Sequence, residues 1–153
     1  MALDRHDRTL LEILQREGRI TNSALAERAH LSESACLRRV RALEESGLIT
    51  GYSAQIDQQK AGVPVNVFVN ITLDRQDQAD LAAFERAVKQ LPEVMECYLM
   101  SGDYDYLVRV VVADMADFER MHSQHLTRLP GVVRVHSSFA LRIVQKSAVL
   151  PIR

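Results

Sequence analysis

The sequence has no long hydrophobic run, few cysteines and no excess of charge of either sign. No apolar stretch approaches the roughly 20 residues that a membrane-spanning helix needs. The first residues, MALDRHDR, lack the apolar core of a secretory signal peptide, so we expect a cytoplasmic chain with no membrane partner. Cys36 and Cys97 are the only cysteines and lie far apart, so we expect both to be reduced thiols.

The sequence also lacks the common catalytic motifs: a nucleophile elbow, a phosphate-binding glycine loop and HExxH. We therefore expect no enzyme activity and no cofactor. His122 and His125 are spaced so that both imidazoles could face one metal ion, with Asp117 and Glu119 close in sequence. Their place near the apolar face of a predicted helix favours a structural histidine, so we expect no metal site.

Positive charge is balanced by negative charge overall but is concentrated at one place. The net charge is −1, yet LSESACLRRVRALEESGLITGY, residues 31–52, carries Arg38, Arg39 and Arg41 within four residues. Acidic and basic residues are equal in number over residues 1–60, so these arginines do not belong to a basic tail. The cluster needs a local explanation.

Three helices are predicted in the first fifty residues. Each begins at a side chain that can accept a hydrogen bond from the first helical turn: Asp4, Thr21 and Ser32. Gly18 and Gly47 are expected to end the first and third helices. Two helices, a tight turn and a third capped helix form the pattern of a helix-turn-helix, in which the last helix enters the major groove of DNA.

The third predicted helix has an apolar face formed by Leu37, Val40 and Leu43. At 100° per residue, its opposite face is polar or small and carries two of the arginines, while Arg39 lies to one side. We predict base-edge contacts from the first two turns and phosphate contacts from Arg39 and Arg41. The predicted DNA-binding set is Ser32, Ser34, Ala35, Arg38, Arg39 and Arg41.

The second half of the chain predicts strands and helices in a repeated order. Alternating apolar and polar residues predict a strand at Val65–Leu73. LPEVMECYLMSG from Leu91 and LPGVVRVHSSFA from Leu129 each mark a helix end, because proline disfavours helix in the residue before it. The other predicted elements are a strand or hairpin arm at 48–56, helices at 80–91 and 117–129, and strands at 94–101, 105–113 and 132–145.

This order is βαββαβ, the ferredoxin-like arrangement with an antiparallel sheet and both helices on one face. We expect the other face to be partly apolar, through Phe68, Tyr98 or Leu99, and Phe139. A second copy of the chain is the simplest cover for such a face.

Nearly the whole sequence resembles the Lrp/AsnC family of bacterial and archaeal regulators. The N-terminal resemblance runs from residue 3 to residue 52, LDRHDRTLLEILQREGRITNSALAERAHLSESACLRRVRALEESGLITGY. ECYLMSGDYDYLVRVVVADM and LPGVVRVHSSFALRIVQKS resemble the family's effector-binding and oligomerisation domain. One departure is His30, since the family usually has glycine before Leu-Ser. If the turn requires a positive φ, His30 can adopt it at some cost, so we expect the turn to be kept.

The resemblance implies a transcriptional regulator that binds double-stranded DNA and responds to a free amino acid. It also implies homodimers that associate further, commonly into octamers. We therefore predict an α+β protein with three segments: a helix-turn-helix DNA-binding domain at 1–50, a connecting strand and linker at 51–63, and a ferredoxin-like effector-binding and oligomerisation domain at 64–153.

An effector site around SGDYDYL, residues 101–107, also follows from the resemblance. From its residues alone, this segment is a tight turn in which Gly and Asp supply backbone freedom and local hydrogen bonds. The family binds an amino acid there, in a cleft between dimers. Asp105 would receive the ammonium, serine hydroxyls the carboxylate, and apolar residues a leucine or methionine side chain. The predicted effector set is Leu99, Gly102, Asp105, Met115, Ser137, Ser138 and Phe139.

A second hypothesis comes from another class of protein. The chain could be a small-molecule or metal sensor that does not bind DNA and uses its helical domain for protein contacts. The arginines would then lie on a solvated helix face, with pairs such as Arg41 and Glu45.

Overall fold

The computed structural model describes residues 3–153, which form two compact units. The first unit contains the described residues up to Gln55 together with Val144–Arg153, and the second contains Ile56–Ile143. None of the helices over the described residues has both the length and the apolar character that a membrane crossing requires.

Three helices form the first unit, α1 (Arg5–Arg16), α2 (Asn22–Arg28) and α3 (Glu33–Glu45). Each begins at its predicted cap. The Asp4 carboxylate accepts the Asp7 N–H at 2.9 Å, and the hydroxyls of Thr21 and Ser32 accept the N–H groups of Ala24 and Ala35, each at 3.2 Å. The three predicted starts are confirmed because a helix cap is encoded within a few residues of sequence.

The buried face of α3 is centred on Cys36 and Leu43, which are almost completely shielded from solvent. They pack in one cluster with Leu10 of α1 and Leu25 of α2. The prediction that Leu37 belongs to this face is wrong, since Leu37 is 39% exposed. The cause is rotation: with Cys36 at the centre of the face, Leu37 turns 100° away from the core.

The turn between α2 and α3 is kept despite the departure at His30. His30 has φ 55°, in the left-handed region. The Leu31 N–H donates to the carbonyl of Ala26 at 2.9 Å, which closes the turn. The expectation that the turn is kept is therefore confirmed, with His30 in a conformation that glycine would adopt without strain.

Two extended segments complete the first unit. One is the segment that ends at Gln55: residues 48–56 contain neither helix nor strand, so the strand predicted there is wrong. A strand needs a neighbour for its ladder of hydrogen bonds, and alternation alone does not supply one. The other segment is Val144–Arg153, near the C-terminus. There the Leu150 N–H donates to Gln15 Oε1 at 2.6 Å, and Gln15 Nε2 donates to the Leu150 carbonyl at 3.2 Å.

The second unit is the predicted βαββαβ arrangement. Its elements are β1 (Val65–Leu73), α4 (Gln78–Val88), β2 (Val94–Leu99), β3 (Tyr106–Val112), α5 (Met115–Gln124), a 3-10 turn (Leu126–Arg128) and β4 (Val132–Phe139). The sheet is antiparallel with strand order β2-β3-β1-β4. Both helices contribute to one core with the same face of the sheet, including Phe84, Met121, Val69 and Val108.

Helices α4 and α5 begin earlier than predicted, and the reason is again capping. Asp77 accepts the N–H groups of Ala79 and Asp80, so Asp80 lies inside α4 rather than at its start. Asp114 caps α5 in the same way by accepting the N–H of Asp117 at 2.9 Å. The predicted strand at 132–145 is also too long, since β4 ends at Phe139.

The helix-free face of the sheet carries Phe68 and Tyr98, which are 40% and 52% exposed, as expected for a partly apolar face. Phe139 was expected there, but it lies on the helix-covered face, where its ring meets Phe118 edge-on at 5.0 Å. Leu99 pairs in register with the buried Tyr106 and so shares the helix-covered side. Side chains alternate strictly along a strand, so an error of one residue transfers a side chain to the opposite face.

Candidate functional site

The outer face of α3 presents two of the three clustered arginine side chains. Arg38 and Arg41 are exposed, as is Ser34 in the first turn, whereas Ala35 is half-buried. The Ser32 hydroxyl caps the helix and lies 3.3 Å from the hydroxyl of Ser34. The structure therefore brings five of the six predicted DNA-binding residues to the start and the outer side of one helix.

The first turn of α3 is also fixed from outside the helix. The Asn22 side-chain amide, at the start of α2, donates to the Glu33 carbonyl at 2.9 Å. Together with the Ser32 cap, this bond ties the beginning of α3 to the beginning of α2. A helix held at its first turn presents its side chains in a defined direction, which is what recognition of a groove requires.

Arg39, the sixth predicted residue, lies in a different setting. Its guanidinium NH1 donates to Asp4 Oδ2 at 2.7 Å and to Asp7 Oδ1 at 2.8 Å. These hydrogen bonds, first to Asp7 and then to Asp4, raise the pKa of Arg39. The Asp7 backbone N–H and then the Arg39 guanidinium lower the pKa of Asp4. Sequence reasoning did not find this contact, because it joins residues far apart in the chain.

A groove with a volume of about 580 Å³ lies between α5 and β4. Three predicted effector residues line it, Met115, Ser137 and Phe139. The Ser137 hydroxyl is shielded from solvent and has no hydrogen-bond partner within residues 3–153. A buried polar group normally has such a partner, so Ser137 is the groove-lining residue whose hydroxyl is left unsatisfied within the described residues.

Sequence reasoning did not assign Phe118, Glu119 and His122 to the groove, although they line it. The signal was present in their spacing, because residues three and four positions after Met115 face the same side of a helix. Phe118 also contacts the ring of His122, with centroids 5.9 Å apart. The groove is thus mainly apolar, with one hydroxyl, one carboxylate and one imidazole.

Asp105 forms hydrogen bonds with the backbone at the end of β1. Its carboxylate Oδ2 accepts the backbone N–H of Leu73 at 2.7 Å and the Gln76 amide at 3.4 Å, and its own N–H donates to the Ile71 carbonyl at 2.9 Å. Gly102, in the same turn, has φ +120° and open space where a Cβ would be. The turn is therefore anchored at Asp105 and unobstructed at Gly102.

Within one chain, the predicted effector residues do not form one site. Leu99 ends β2, at one edge of the sheet, while Ser137 and Phe139 lie on β4, at the opposite edge. Ser138 pairs in register with Phe68 and faces the helix-free side, whereas Ser137 pairs with Val69 and faces the groove. The two serines therefore point to opposite faces of the sheet.

Over residues 3–153, no three side chains of His, Cys, Asp or Glu lie close enough together to hold a metal ion. His122 lines the groove, while His125 Nε2 lies 3.5 Å from a guanidinium nitrogen of Arg120.

The chain matches two family models and several characterised proteins. Residues 3–50 match winged helix-turn-helix DNA-binding, and residues 66–150 match the Lrp/AsnC ligand binding domain. The leucine-responsive regulatory protein of Escherichia coli K12 is 41% identical over 151 residues, which cover 99% of this chain and 92% of that protein. The Bkd operon transcriptional regulator of Pseudomonas aeruginosa is 40% identical over 150 residues, or 98% of each chain.

A solved structure is similar over nearly the same length. A transcriptional regulator of Neisseria meningitidis, determined as a complex with L-methionine, superimposes with a TM-score of 0.94 at 33% sequence identity. The superposition covers 98% of this chain and 97% of that chain.

The helix-turn-helix unit, the ferredoxin-like unit and these matches together define a DNA-binding transcriptional regulator with a ligand-binding domain, and not an enzyme. The chain belongs to the Lrp/AsnC family, as the resemblance in its sequence indicated. Family membership decides against the hypothesis of a sensor that does not bind DNA.

Proposed function

We propose that this regulator reads duplex DNA with the outer face of α3 and that a free apolar amino acid, such as leucine or methionine, changes its assembly or its DNA binding. The observation that carries the DNA part is the exposure of Arg38 and Arg41 on a helix whose first turn is fixed at Ser32 and Asn22.

Each side chain of the exposed face has a distinct role in this proposal. Arg38, one turn after the cap, would contact a base edge, because a planar guanidinium binds guanine through two parallel hydrogen bonds. The Ser32 and Ser34 hydroxyls and Ala35 would lie against the groove at the first turn. Arg41 lies one turn further along α3 and would neutralise a phosphate.

The groove between α5 and β4 supports an apolar effector. Phe118 and Phe139 supply an aromatic wall, and the unpaired Ser137 hydroxyl can donate to a carboxylate. The groove thus offers a donor for the carboxylate of a free amino acid and an apolar wall for its side chain. The related Neisseria regulator, solved with L-methionine, supports the same class of ligand.

Asp105 is the proposed partner of the ammonium. Its Oδ2 holds the end of β1 through Leu73, so we assign Oδ1 to the ligand. Gly102 and Leu99 would complete this half of the site, with backbone groups and an apolar side chain.

The separation of the two halves favours a site built by more than one copy. Leu99 and Ser137 lie on opposite edge strands, so a ligand that contacts both needs residues from neighbouring subunits. Such a ligand biases assembly by as much as its affinity differs between the assembled states. We therefore propose dimers that associate further, with octamers as the expected larger form.

The helix-free face of the sheet suits a second copy. Phe68 and Tyr98 expose apolar area there, and the polar groups between them are already paired within the chain. Arg109 pairs with Glu96 and donates to Asn66 Oδ1 at 3.1 Å. A partner can cover this face without leaving the guanidinium unpaired, which would otherwise be costly.

DNA-binding measurements on variants of α3 test the proposal. Arg38→Ala should weaken a preferred operator by about 1–3 kcal/mol and relax base preference at one position. Arg41→Ala should weaken all duplexes alike and reduce the slope of log K against log salt by about 0.9. Arg86→Ala, an exposed arginine on α4, is the matched control. Unchanged affinity and base preference in Arg38→Ala would show that α3 docks differently.

The effector is tested by calorimetry of the intact protein against the twenty amino acids. Leucine or methionine should bind in preference to any charged amino acid, and each methylene should change the binding free energy by about 1–3 kcal/mol. Preferred binding of lysine or glutamate would contradict the assignment of an apolar pocket.

A further inference from the structure

Arg39 joins α3 to the beginning of α1. Its NH1 group contacts carboxylates of two residues, Asp4 at 2.7 Å and Asp7 at 2.8 Å. The side chains of Arg39 and Asp7 are only 24% and 13% exposed. Their partial burial distinguishes this contact from an ordinary surface ion pair.

The two carboxylates use all of their oxygens in one closed network. In Asp4, Oδ1 accepts the Asp7 N–H and Oδ2 accepts Arg39. In Asp7, Oδ2 accepts the Asp4 N–H at 3.3 Å and Oδ1 accepts Arg39. Asp4 and Asp7 therefore cap α1 and also bind Arg39 of α3. These bonds fix the start of α1 against the side of α3.

The position of Arg39 on α3 explains how it reaches α1. It lies three residues after Cys36 and four before Leu43, the two most buried residues of the helix. Residues at this spacing share one side of a helix. Arg39 therefore leaves α3 on the flank of its buried face, while Arg38 and Arg41 are exposed.

The two carboxylates accept from NH1 of Arg39 and already balance its positive charge. A phosphate at Arg39 would also approach these two anions, and like charges at this distance repel. From this geometry we infer that Arg39 is a positioning residue: with Asp4 and Asp7, it sets the direction of α3, and it does not neutralise a DNA phosphate. The inference rests on the proposed function only in taking α3 as the helix that meets DNA.

Two readouts separate positioning from phosphate contact. Thermal unfolding of the intact protein measures the network, and the salt dependence of DNA affinity counts the phosphates that are neutralised. Arg39→Ala should lower Tm and weaken DNA binding while leaving the salt slope at its wild-type value. Arg41→Ala should instead reduce the salt slope by about 0.9 and leave Tm unchanged.

Two further variants keep the test decisive. Arg39→Lys keeps the charge but loses the planar fork, so we expect a lower Tm with the wild-type salt slope, even if Arg39→Ala does not fold. Asp7→Asn should lower Tm in the wild-type background and have a smaller effect beside Arg39→Lys, because the part of its effect that acts through Arg39 is then already lost, while its effect on the bond from the Asp4 N–H remains.

The inference would be overturned if either Arg39 variant reduced the salt slope as Arg41→Ala does, or if the effects of Asp7→Asn and Arg39→Lys on Tm were additive. If the protein bound no DNA at all, the proposed function would fail, but the coupling between Asp7 and Arg39 would still be measured by thermal unfolding.

Discussion

Asp105 and Leu73 are joined by a hydrogen bond of 2.7 Å from the Leu73 N–H to Oδ2 of the carboxylate. The residue proposed to hold the effector's ammonium thus also secures the end of β1. A substitution at Asp105 changes two properties at once, and the side chain that replaces it decides which of them is lost.

Asp105→Asn is predicted to weaken the effector without unfolding its domain. The asparagine carbonyl can still accept the Leu73 N–H, but the negative charge that faces the ammonium is lost. A hydrogen bond to a charged group contributes about 1.5–3 kcal/mol, so the affinity for leucine or methionine should fall roughly 10-fold or more. Calorimetry measures the affinity and thermal unfolding the stability.

Asp105→Ala is the comparison that separates the two roles. It removes the acceptor as well as the charge, so both effector affinity and Tm should fall, while DNA binding without effector is kept. If Asp105→Asn bound leucine or methionine as tightly as the wild-type protein, the proposed ammonium contact would be wrong.

Phe68→Glu is predicted to separate the dimer. Phe68 is 40% exposed on the helix-free face, where a second copy is proposed to pack. A symmetric interface would bring the new carboxylate of each copy into the buried apolar contact between the two sheets. Two like charges at such a contact cost several kcal/mol of binding free energy. Light scattering at micromolar concentration should show a smaller species.

Arg86→Glu, on the exposed side of α4, adds the same residue away from that face and should leave the assembly unchanged. An unaltered mass for Phe68→Glu would mean that another surface holds the copies together.

Features encoded by neighbouring residues could be predicted from the sequence. Asp4, Thr21 and Ser32 cap helices because each lies three residues before the N–H that it accepts. The alternation of apolar and polar residues in Val65–Leu73 likewise indicates which face of the strand is buried, since successive side chains on a strand point to opposite faces.

Features that depend on tertiary contacts could not be predicted in this way. Arg39 lies 35 positions from Asp4, and nothing near it in the sequence indicates a carboxylate partner. Leu37 and Cys36 are adjacent, and the helical spacing of apolar residues does not by itself decide which of the two faces the core. Ser137 and Ser138 raise the same difficulty on a strand, where the register with β1 decides that only Ser137 enters the groove.

Cys97 is predicted to be an unreactive thiol at neutral pH. Burial, followed by the nearby Glu85 carboxylate, raises the pKa of Cys97 to about 11. Only the thiolate reacts with alkylating reagents, so at pH 8 roughly one thiol in a thousand would be reactive. Peptide mapping after brief treatment with iodoacetamide should show a rate that rises about tenfold per pH unit between pH 8 and pH 10.

The same shift makes a prediction for alkaline stability. The folded thiol stays neutral above pH 9, where the unfolded thiol ionises, so stability falls as the pH rises from about 9 towards 11. Cys97→Ala should reduce this loss relative to the wild-type protein. Rapid alkylation of folded Cys97 at pH 8 would contradict both statements.

Gln15 and Leu150 lie 135 positions apart, yet they are joined by two hydrogen bonds between one side-chain amide and one backbone unit. Ile152, two residues later, packs against the buried cluster of the helical unit. Gln15→Leu keeps an apolar stem but removes both hydrogen bonds, so it should lower the free energy of unfolding by about 1–2 kcal/mol. Urea denaturation measures this change.

Gln15→Glu provides the graded comparison, because a carboxylate can accept the Leu150 N–H but cannot donate to its carbonyl. Its stability should lie between those of the wild-type protein and Gln15→Leu. Gln90→Leu, at an exposed position after α4, controls for added apolar surface. If Gln15→Leu and Gln15→Glu both unfolded at the wild-type urea concentration, the C-terminal residues would contribute nothing to the helical unit, and their contact with α1 would be incidental.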